Sequence, residues 1–312
     1  MKQMIISEDK IWTKSAPSNI ALIKYMGKEG ENIPTNVSLS YTLSKFTTTV
    51  NLQTAKSCDE FINEDGWNAL QIEKFINHLK YIKKLLNFSG FFRIKSHNNF
   101  PHSVGVASSA SSFAALTKVA YAAICEIQQK KLPDAHCMSE ISRRGSGSSC
   151  RSFFSPWSIW RGEFAEPLDL KIGNLEHDLI LITREAKKIF SSQAHQLVRS
   201  SLLFQGRKER AENRCRHLIN ALKCNDWRDA HQICWEEFHD MHALFETSSP
   251  HFSYIMPQTV FILNSVEEFW RKHNDGPIAT LDAGPNVHLL WRNPDLRIKF
   301  MDFLVSENFE VI

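Results

Sequence analysis

A repeated change between strand-type and helix-type hydrophobic spacing limits the folds open to this chain. KFTTTVNLQT alternates apolar or β-branched residues with polar ones, as a half-buried strand does, and the inward set is Phe46, Thr48, Val50 and Leu52. The next apolar segment, LQIEKFINHLKYIKKLLNF, has helical spacing instead, and its single stripe comprises Ile72, Phe75, Ile76, Leu79, Ile82 and Leu86. The two periods together predict an α+β protein.

The same alternation continues to the end of the chain. Residues 207–224 and 256–273 have helical spacing, HDLILITRE predicts a strand, and the last dozen residues alternate weakly and end in FEVI. TLDAGPNVHLLW predicts two buried strands joined by a tight turn, with Asp282 at its tip. A chain of 312 residues that is 43% hydrophobic can form two domains. We place their boundary near residue 176, which gives domains 1–176 and 177–312.

Composition excludes several functional classes. The net charge is only +3 and the basic residues are scattered, which argues against a nucleic-acid partner. The seven cysteines are odd in number and contain no C-x-x-C pair, so we expect reduced thiols, and no His/Cys cluster indicates a metal site built by the protein. The N-terminus lacks the apolar core of a signal peptide, and no window approaches the ~20 apolar residues that cross a bilayer. We therefore expect a cytoplasmic protein without a membrane partner.

A first candidate for anion binding is NNFPHSVGVASSASSFAALTKVAYAA. Pro101 and Gly105 mark a loop, Ser108 to Ser112 are N-cap candidates, and a helix is predicted from Phe113 onward. A glycine-containing loop that leads into a helix exposes backbone N–H groups at the positive end of the helix dipole, where phosphate binds well. The alternative is an ordinary capped helix with surplus serines, because the segment is not a G-x-x-x-x-G-K-[ST] loop.

Two further segments carry the same chemistry. In RRGSGSSCRSFF, glycines alternate with serines ahead of Arg151, whose planar guanidinium can bind a carboxylate or phosphate through two hydrogen bonds. In SAPSNIALIKYMGK, a turn ends at Asn19, an extended stretch follows, and Lys24 and Lys28 add two ammonium groups. A solvated turn and a solvated face are the respective alternatives. The recurrence in three segments favours a ligand with several anionic groups.

Five motifs carry a resemblance to a known family. APSNIALIKYMGK, TNVSLS, FPHSVGVASSASSFAAL, RRGSGSSCRSFF and LDAGPN, in this order, resemble the diphosphomevalonate decarboxylases of the GHMP kinase superfamily, and the match extends from Ser15 to Leu289. The resemblance implies an N-terminal domain like ribosomal protein S5, a ferredoxin-like C-terminal domain and an active site in the cleft between them. It also implies that ATP phosphorylates the tertiary 3-hydroxyl of mevalonate 5-diphosphate, after which phosphate and carbon dioxide leave and isopentenyl diphosphate forms.

The resemblance further implies a role for individual residues. Asp282 matches the catalytic aspartate, which orients or removes the hydroxyl proton, and Arg151 matches the arginine that engages the substrate. The implied catalytic set is Asp282, Arg151 and Lys24. The implied substrate-binding set is Asn19, Tyr25, Lys28, Ser146, Ser148 and Ser192. The implied nucleotide-phosphate set is Gly105, Ala107, Ser108 and Ser109. ATP and Mg²⁺ are the implied cofactors, with Ser108 as a candidate Mg²⁺ ligand, and the implied assembly is a homodimer.

Three departures from the family pattern leave alternatives open. Met26 stands where tryptophan is usual, Ser155 to Trp157 replaces a Gly-Gly turn, and Ala194-His195 replaces Gly-Met. These positions are expected near the diphosphate end of the substrate, so mevalonate and its monophosphate remain alternative substrates. A related kinase that phosphorylates the 3-hydroxyl without decarboxylation is a second hypothesis. A catalytically silent homologue that binds an isoprenoid precursor or a protein partner is a third.

Overall fold

The chain divides into two compact units, each assembled from separate stretches of sequence. The computed structural model describes residues 10–64, 66–101, 106, 108–185 and 189–312. Unit 1 consists of Met1–Asn19, Thr42–His102 and Ala107–Glu166. Unit 2 consists of Ile20–Tyr41, Ser103–Val106 and Pro167–Ile312. The domain boundary near residue 176 stays a prediction.

Helices and strands alternate along the described residues, as the spacing predicts. The strands are β1 Ile11–Ile23, β2 Lys28–Glu29, β3 Ile33–Pro34, β4 Ser38–Ala55, β5 Glu60–Ile62, β6 Phe91–Asn98, β7 Trp157–Arg161, β8 Phe164–Pro167, β9 Glu176–Leu181, β10 Ile278–Leu281, β11 Val287–Trp291 and β12 Glu310–Val311. The α-helices are α1 Ala69–Leu85, α2 Ser108–Ile127, α3 Ala135–Gly145, α4 Ser191–Leu197, α5 Arg207–Lys223, α6 Trp227–Glu246, α7 Pro257–His273 and α8 Pro294–Ser306. Short 3₁₀ helices occupy Gly147–Phe153, Val198–Ser200 and Leu202–Phe204.

Unit 1 is built on a mixed sheet of strand order β5-β6-β4-β7-β8, and β1 also pairs with β4. β4 and β6 are antiparallel, with Thr48 opposite Asn98 and Ala55 opposite Phe91. The predicted inward face of β4, from Phe46 to Leu52, is buried. Val50 and Leu52 of this face pack in one apolar core with about half of α2 and with five members of the predicted α1 stripe, namely Phe75, Ile76, Leu79, Ile82 and Leu86. The hydrophobic spacing therefore identifies much of this core, although Phe46, Thr48 and Ile72 of the predicted sets are not part of it.

The α2 helix begins earlier than the sequence predicts. It starts at Ser108 instead of Phe113, so the serines form its first turns and do not cap it. Ser111 and Ser112 each donate a hydrogen bond to the carbonyl of Ser108, at 3.1 and 2.7 Å, which satisfies their hydroxyls inside the helix. By length and composition α2 could cross a membrane, contrary to the sequence-based expectation, but 78% of its apolar window is buried inside the protein. That burial is typical of a core helix.

The stretch before Asn19 is also different from its prediction. The predicted turn over Ala16 to Asn19 is part of β1, which runs without interruption from Ile11 to Ile23. Proline lacks a ladder N–H, and Pro17 is tolerated because β1 pairs with β4 alone among the described strands. The continuous strand includes Asn19 and ends at Ile23, directly before Lys24.

Unit 2 contains a four-stranded antiparallel sheet in the order β10-β11-β9-β12. The predicted strands on either side of Asp282 are β10 and β11, and the helices predicted at 207–224 and 256–273 are α5 and α7. The weak alternation of the last dozen residues is only partly a strand, because α8 extends to Ser306 and β12 covers two residues. All seven cysteines lie in the described ranges and are free thiols, and four of them are buried.

Candidate active site

Asp282 directly follows the last residue of β10, at the turn that leads to β11. The Gly284 N–H donates to the Asp282 carbonyl at 2.8 Å and closes the turn. The His242 ring on α6 contacts the same carbonyl through Nε2 at 3.1 Å. A carbonyl can only accept, so Nε2 carries the proton, and burial lowers the pKa of His242 to about 3. The backbone of Asp282 is thus held from two sides, while its side chain stays 28% exposed.

Lys24 supplies the charge partner of Asp282. It follows β1, its side chain is 1% exposed, and its Nζ lies 2.8 Å from Asp282 Oδ1. Burial lowers the pKa of Lys24, and the neighbouring Asp282 carboxylate opposes that shift. A buried ammonium requires a counter-ion. The partly exposed Asp282 carboxylate serves as this counter-ion, and the contact with Lys24 fixes the direction in which the carboxylate points. The pair therefore presents one carboxylate oriented by one cation.

The backbone of Lys24 is held by three side chains that the sequence did not single out. Its N–H donates to Glu237 Oε1 at 2.9 Å, and its carbonyl accepts from Asn36 Nδ2 at 2.9 Å and from Arg207 Nη2 at 3.4 Å. Both polar groups of this peptide position are therefore satisfied by α5, α6 and the loop before β4. This clamp fixes the point from which the ammonium extends.

The clamp belongs to a buried ionic network between α5 and α6. Arg207 and Glu237 are 1% and 0% exposed and form a two-point ion pair, one contact of which is 2.9 Å long. Arg207, Arg210 and Arg214 also donate to Asp240 at 2.9, 2.8 and 2.7 Å. Burial opposes the charge of Asp240, but the three guanidinium groups together lower the pKa of its carboxyl. The network thus keeps its charges paired in spite of burial.

Three of the predicted substrate-binding residues, Tyr25, Lys28 and Ser192, lie around His195 in unit 2. The Tyr25 and His195 ring centroids are 4.3 Å apart, and the Gly27 N–H donates to His195 Nδ1 at 3.0 Å. Lys28 begins β2 and its ammonium donates to Asn32 Oδ1 at 2.9 Å. Ser192 is exposed in the first turn of α4, three residues before His195. Residues at this spacing share one helix face, so Ser192 and His195 are neighbours.

The departures from the family pattern are accommodated by packing. In unit 2 they contribute to one apolar cluster of buried residues, made of Met26, Ala194, Val198, Met241, Leu244, Phe245, Tyr254 and Ala283. Ala283 directly follows Asp282, so this cluster supports the turn that carries the carboxylate. In unit 1, the Pro156 carbonyl accepts from the Thr42 N–H at 2.8 Å, and Trp157 is 1% exposed at the start of β7. None of the three departures replaces a titratable side chain of the predicted site.

Arg151 and Asn19 form the predicted carboxylate-binding part of unit 1. Arg151 is 4% exposed, donates from Nε to Asn19 Oδ1 at 3.1 Å and lies over the Trp160 ring at 5.5 Å. Asn19 in turn donates from Nδ2 to Ser152 Oγ at 2.8 Å and to the Ser148 carbonyl at 3.3 Å. These contacts fix the plane of the guanidinium, which is a requirement for two-point binding of a carboxylate.

Two of the predicted anion-binding segments meet within unit 1. Ser146 joins α3 to the 3₁₀ helix Gly147–Phe153, and its hydroxyl lies 3.3 Å from the Ser109 hydroxyl at the start of α2. Ser148 and Ser108 are half-buried, while Ser109 is exposed. A Cβ at Gly145 would approach Phe113 to 2.3 Å and His78 to 2.7 Å, so close helix packing explains this glycine. The predicted glycine-serine loop is therefore a packed 3₁₀ segment and not a flexible turn.

The structure thus brings several of the predicted residues into contact, and two others lie outside the residues that it describes. Lys24 and Asp282 are in direct contact in unit 2, as are Asn19 and Arg151 in unit 1. Gly105 and Ala107 lie outside the described residues. A cavity of about 460 Å³ in unit 2 is lined by other residues, namely Lys171, Ile172, Gly173, Asn174, Leu175, Leu222, Lys223, Asn225 and Arg292. Within the described ranges, no group of three or more His, Cys, Asp or Glu side chains could hold a metal ion.

Comparison with known proteins agrees with the motifs along the whole chain. Residues 16–166 match the diphosphomevalonate decarboxylase-like N-terminal domain, and residues 178–309 match the mevalonate 5-diphosphate decarboxylase C-terminal domain. Diphosphomevalonate decarboxylase ERG19 of Gibberella zeae is 32% identical over 332 residues, which cover 94% of this chain and 84% of that protein.

Solved structures agree with the fold. The crystal structure of a mevalonate diphosphate decarboxylase from Legionella pneumophila is 45% identical, with a TM-score of 0.92 and coverage of 97% of this chain and 100% of that one. MDDEF in complex with MVAPP, AMPPCP and magnesium is 28% identical, with a TM-score of 0.86 and coverage of 97% and 96%. The α+β fold with these residue groups is that of the GHMP kinase superfamily. Within that class, the chain belongs to the diphosphomevalonate decarboxylase family.

Proposed function

We propose that this chain catalyses the ATP-dependent decarboxylation of mevalonate 5-diphosphate to isopentenyl diphosphate, with release of ADP, phosphate and carbon dioxide. The observation that carries the proposal is the partly exposed Asp282 carboxylate, held 2.8 Å from the buried Lys24 ammonium. A module that only binds a ligand has no need of a carboxylate oriented in this way. Membership of the family supports the same conclusion, because relatives that match nearly the whole length of this chain are named for this activity.

Phosphoryl transfer is the step that we assign to Asp282 and Lys24. A tertiary alcohol is a poor nucleophile, so a carboxylate within hydrogen-bond reach of the 3-hydroxyl can orient its proton, or take it, as the γ-phosphoryl group moves. Lys24 stabilises the negative charge of Asp282 and fixes the direction of its Oδ1. The Asp282 side chain is also 28% exposed, so a substrate alcohol can approach it.

Decarboxylation is the step that we assign to Arg151 and Asn19. The C3–O bond to the new phosphate breaks, the electron pair of the C1–C2 bond forms the C2–C3 double bond, and C1 leaves as carbon dioxide. This fragmentation requires the carboxylate to be held in alignment with the leaving phosphate. Arg151 has the charge and the planar donors for that task, and its contacts with Asn19 and Trp160 support a fixed orientation.

The other predicted residues complete the proposal. We assign Tyr25, Lys28 and Ser192 to binding of the diphosphate, and Ser146 and Ser148 to the substrate loop. We assign the predicted nucleotide-phosphate set to binding of the ATP phosphates, and its members are Gly105, Ala107, Ser108 and Ser109. Their side chains and backbone offer hydroxyl, ammonium and N–H donors, which suit phosphate oxygens.

We infer ATP and Mg²⁺ as cofactors, on the support of the MDDEF complex with AMPPCP and magnesium. Nucleotide-bound Mg²⁺ keeps several waters and binds substrate phosphates, and a serine or threonine hydroxyl at a phosphate-binding helix start can be one of its protein ligands, so the half-buried Ser108 hydroxyl suits this role. When bound, the ion neutralises charge on the phosphates. We extend the proposal to a cytoplasmic homodimer, and light scattering on the purified protein tests the dimer.

The proposal is tested by following both products at once. The purified protein is incubated with Mg-ATP and 1-¹⁴C-labelled mevalonate 5-diphosphate, mevalonate 5-phosphate or mevalonate, and ADP and ¹⁴CO₂ are measured together. We expect equal amounts of both from the diphosphate. ADP without ¹⁴CO₂ would replace the decarboxylase with a 3-kinase, and no product from any of the three compounds would favour the silent binder.

A further inference from the structure

His195 is a polar residue that the proposed mechanism does not use. It lies on α4, where the family pattern has an apolar residue, and it is only 7% exposed. The Gly27 N–H donates to its Nδ1 at 3.0 Å, and the Tyr25 ring packs against it with centroids 4.3 Å apart. Both contacts fix the plane of the imidazole.

The hydrogen bond from Gly27 also fixes the tautomer of His195. A backbone N–H can only donate, so Nδ1 must be the unprotonated acceptor, and the neutral ring carries its proton on Nε2. Burial, together with the nearby Lys28 ammonium, lowers the pKa of His195 to about 3. The ring is therefore neutral at physiological pH and Nε2 is a hydrogen-bond donor.

This Nε2–H has no acceptor among the residues that the structure describes. The Gly27 contact is on the other ring nitrogen, and His195 is 7% exposed. An N–H on a side chain buried to this extent is costly unless a ligand or water accepts from it. The atom is thus a preformed donor on a largely buried ring.

The neighbours of His195 indicate an anionic acceptor. Ser192 presents a hydroxyl one turn earlier on the same helix face, and Lys28 contributes a positive charge close enough to affect the imidazole. We propose that His195 is a specificity residue that donates from Nε2 to an oxygen of the substrate's diphosphate and favours the diphosphate over the monophosphate. This inference rests on the function proposed above and adds to it a residue at which this chain departs from the family pattern.

Two substitutions separate the donor from the structural contact. In His195→Asn, the side-chain oxygen can still accept from the Gly27 N–H, but the distal donor is lost. In His195→Gln, the amide nitrogen reaches about as far as Nε2, but the proximal acceptor is lost. Gln196→Ala, on the exposed side of the same helix, is the matched control.

The expected result is a change in KM more than in kcat. We expect His195→Asn to raise KM for mevalonate 5-diphosphate about 10-fold, with a much smaller effect on mevalonate 5-phosphate, because one hydrogen bond to a charged group is lost. His195→Gln should recover most of that loss, and Gln196→Ala should match the wild type. A wild-type KM in His195→Asn, or a KM in His195→Gln as high as in His195→Asn, would overturn the assignment.

A measurement without turnover makes the test independent of the proposed reaction. In protein with ¹⁵N-labelled histidine, we expect the His195 Nε2 signal to report the protonated nitrogen and to shift when mevalonate 5-diphosphate is added without ATP. An unchanged signal at saturating ligand would overturn the donor role. If the wild type releases no ¹⁴CO₂, the proposed function fails. If it does release ¹⁴CO₂ and the His195 variants behave like the wild type, only the role of His195 fails.

Discussion

Asp282 combines partial exposure with a buried charge partner, and it is the residue on which most of the proposed chemistry depends. We expect Asp282→Ala to abolish ATP turnover and carbon dioxide release together, with a loss of about 10²- to 10⁴-fold, which is typical for removal of a general base. The fold should persist because the side chain lies at a turn and is 28% exposed. Coupled ADP and ¹⁴CO₂ assays measure the loss, and circular dichroism checks the fold. Asp282→Asn, which can still bond to Lys24, should lose activity as well, and substantial turnover in either variant would remove Asp282 from the catalytic role.

Arg151 offers a second test at a single residue. We expect Arg151→Gln to lower kcat/KM about 10²-fold, because an amide cannot provide the charge and the two-point geometry of a guanidinium. The loss of thermal stability should be small by comparison. Arg161→Gln, at an exposed position at the end of β7, is the control with the same chemical change and should behave like the wild type. A wild-type rate in Arg151→Gln would contradict the assignment.

The roles of some of these residues can be predicted from the sequence, and the roles of others cannot. Motif resemblance identifies Asp282 and Lys24, but no local spacing could show that two residues 258 positions apart are hydrogen-bonded. Glu237 and Arg207 were missed because charged residues on a helix are usually solvated. A signal was present nevertheless. Glu237 falls at helical spacing between Cys234 and Met241, on the buried face of α6, where an acid is unexpected.

Among the helices, α5 and α6 are linked by the buried ionic network. We expect Glu237→Gln to destabilise the protein by about 3 kcal/mol, because removal of one partner leaves the buried Arg207 charge only partly compensated. Thermal unfolding gives the change in midpoint. Glu236→Gln, the adjacent and 49% exposed position on α6, makes the same chemical change and should have little effect. Equal midpoints for the two variants would show that the network adds no stability.

The elements themselves were predicted well where one strong period dominates. The inward face of β4, the stripe of α1 and the bounds of α5 and α7 follow directly from spacing. The errors occurred where local preference and tertiary context disagree. The serines at the start of α2 resemble caps, yet they form helix because burial and bonds to the Ser108 carbonyl satisfy them. Pro17 resembles a turn residue, yet β1 tolerates it at a position away from the sheet interior.

At the scale of the molecule, buried neutral histidines make stability depend on pH. Burial lowers the pKa to about 3 for His78, His195 and His242, and to about 4 for His231. In the unfolded chain each would titrate near 6.5. As the pH falls from about 6.5 toward 4, the unfolded state gains protons that the folded state does not, so stability is complete above this window and is lost within it.

Each of these histidines adds up to about 1.4 kcal/mol of destabilisation per pH unit within the window. We expect the thermal midpoint to be constant between pH 7 and 8 and to fall steadily between pH 6.5 and 4.5. His78→Gln should reduce the slope, since the amide does not titrate and can retain a hydrogen bond to Thr117. A midpoint that stays constant down to pH 4.5 would contradict the prediction.

The α+β class and the presence of two parts were predictable from length and alternation, but their composition was not. Local spacing identifies elements one after another along the chain and carries no information on which distant segments pack together. That Ile20–Tyr41 groups with Pro167–Ile312 follows only from long-range contacts. The clamp on the Lys24 backbone, from α5 and α6, is one of those contacts.

The interleaved segments of unit 2 have a consequence for synthesis on the ribosome. The Lys24 N–H finds its acceptor on Glu237, which is 213 positions later in the chain. At about 5–20 residues per second, this partner emerges about 10 to 40 seconds after Lys24 does. Asn36, only 12 positions later, can reach the Lys24 carbonyl early, but the acceptor for the Lys24 N–H is still missing throughout that interval. By the time Glu237 emerges, all segments of unit 1 have been made. The segment that supplies Lys24 is thus made long before the helix that completes its environment.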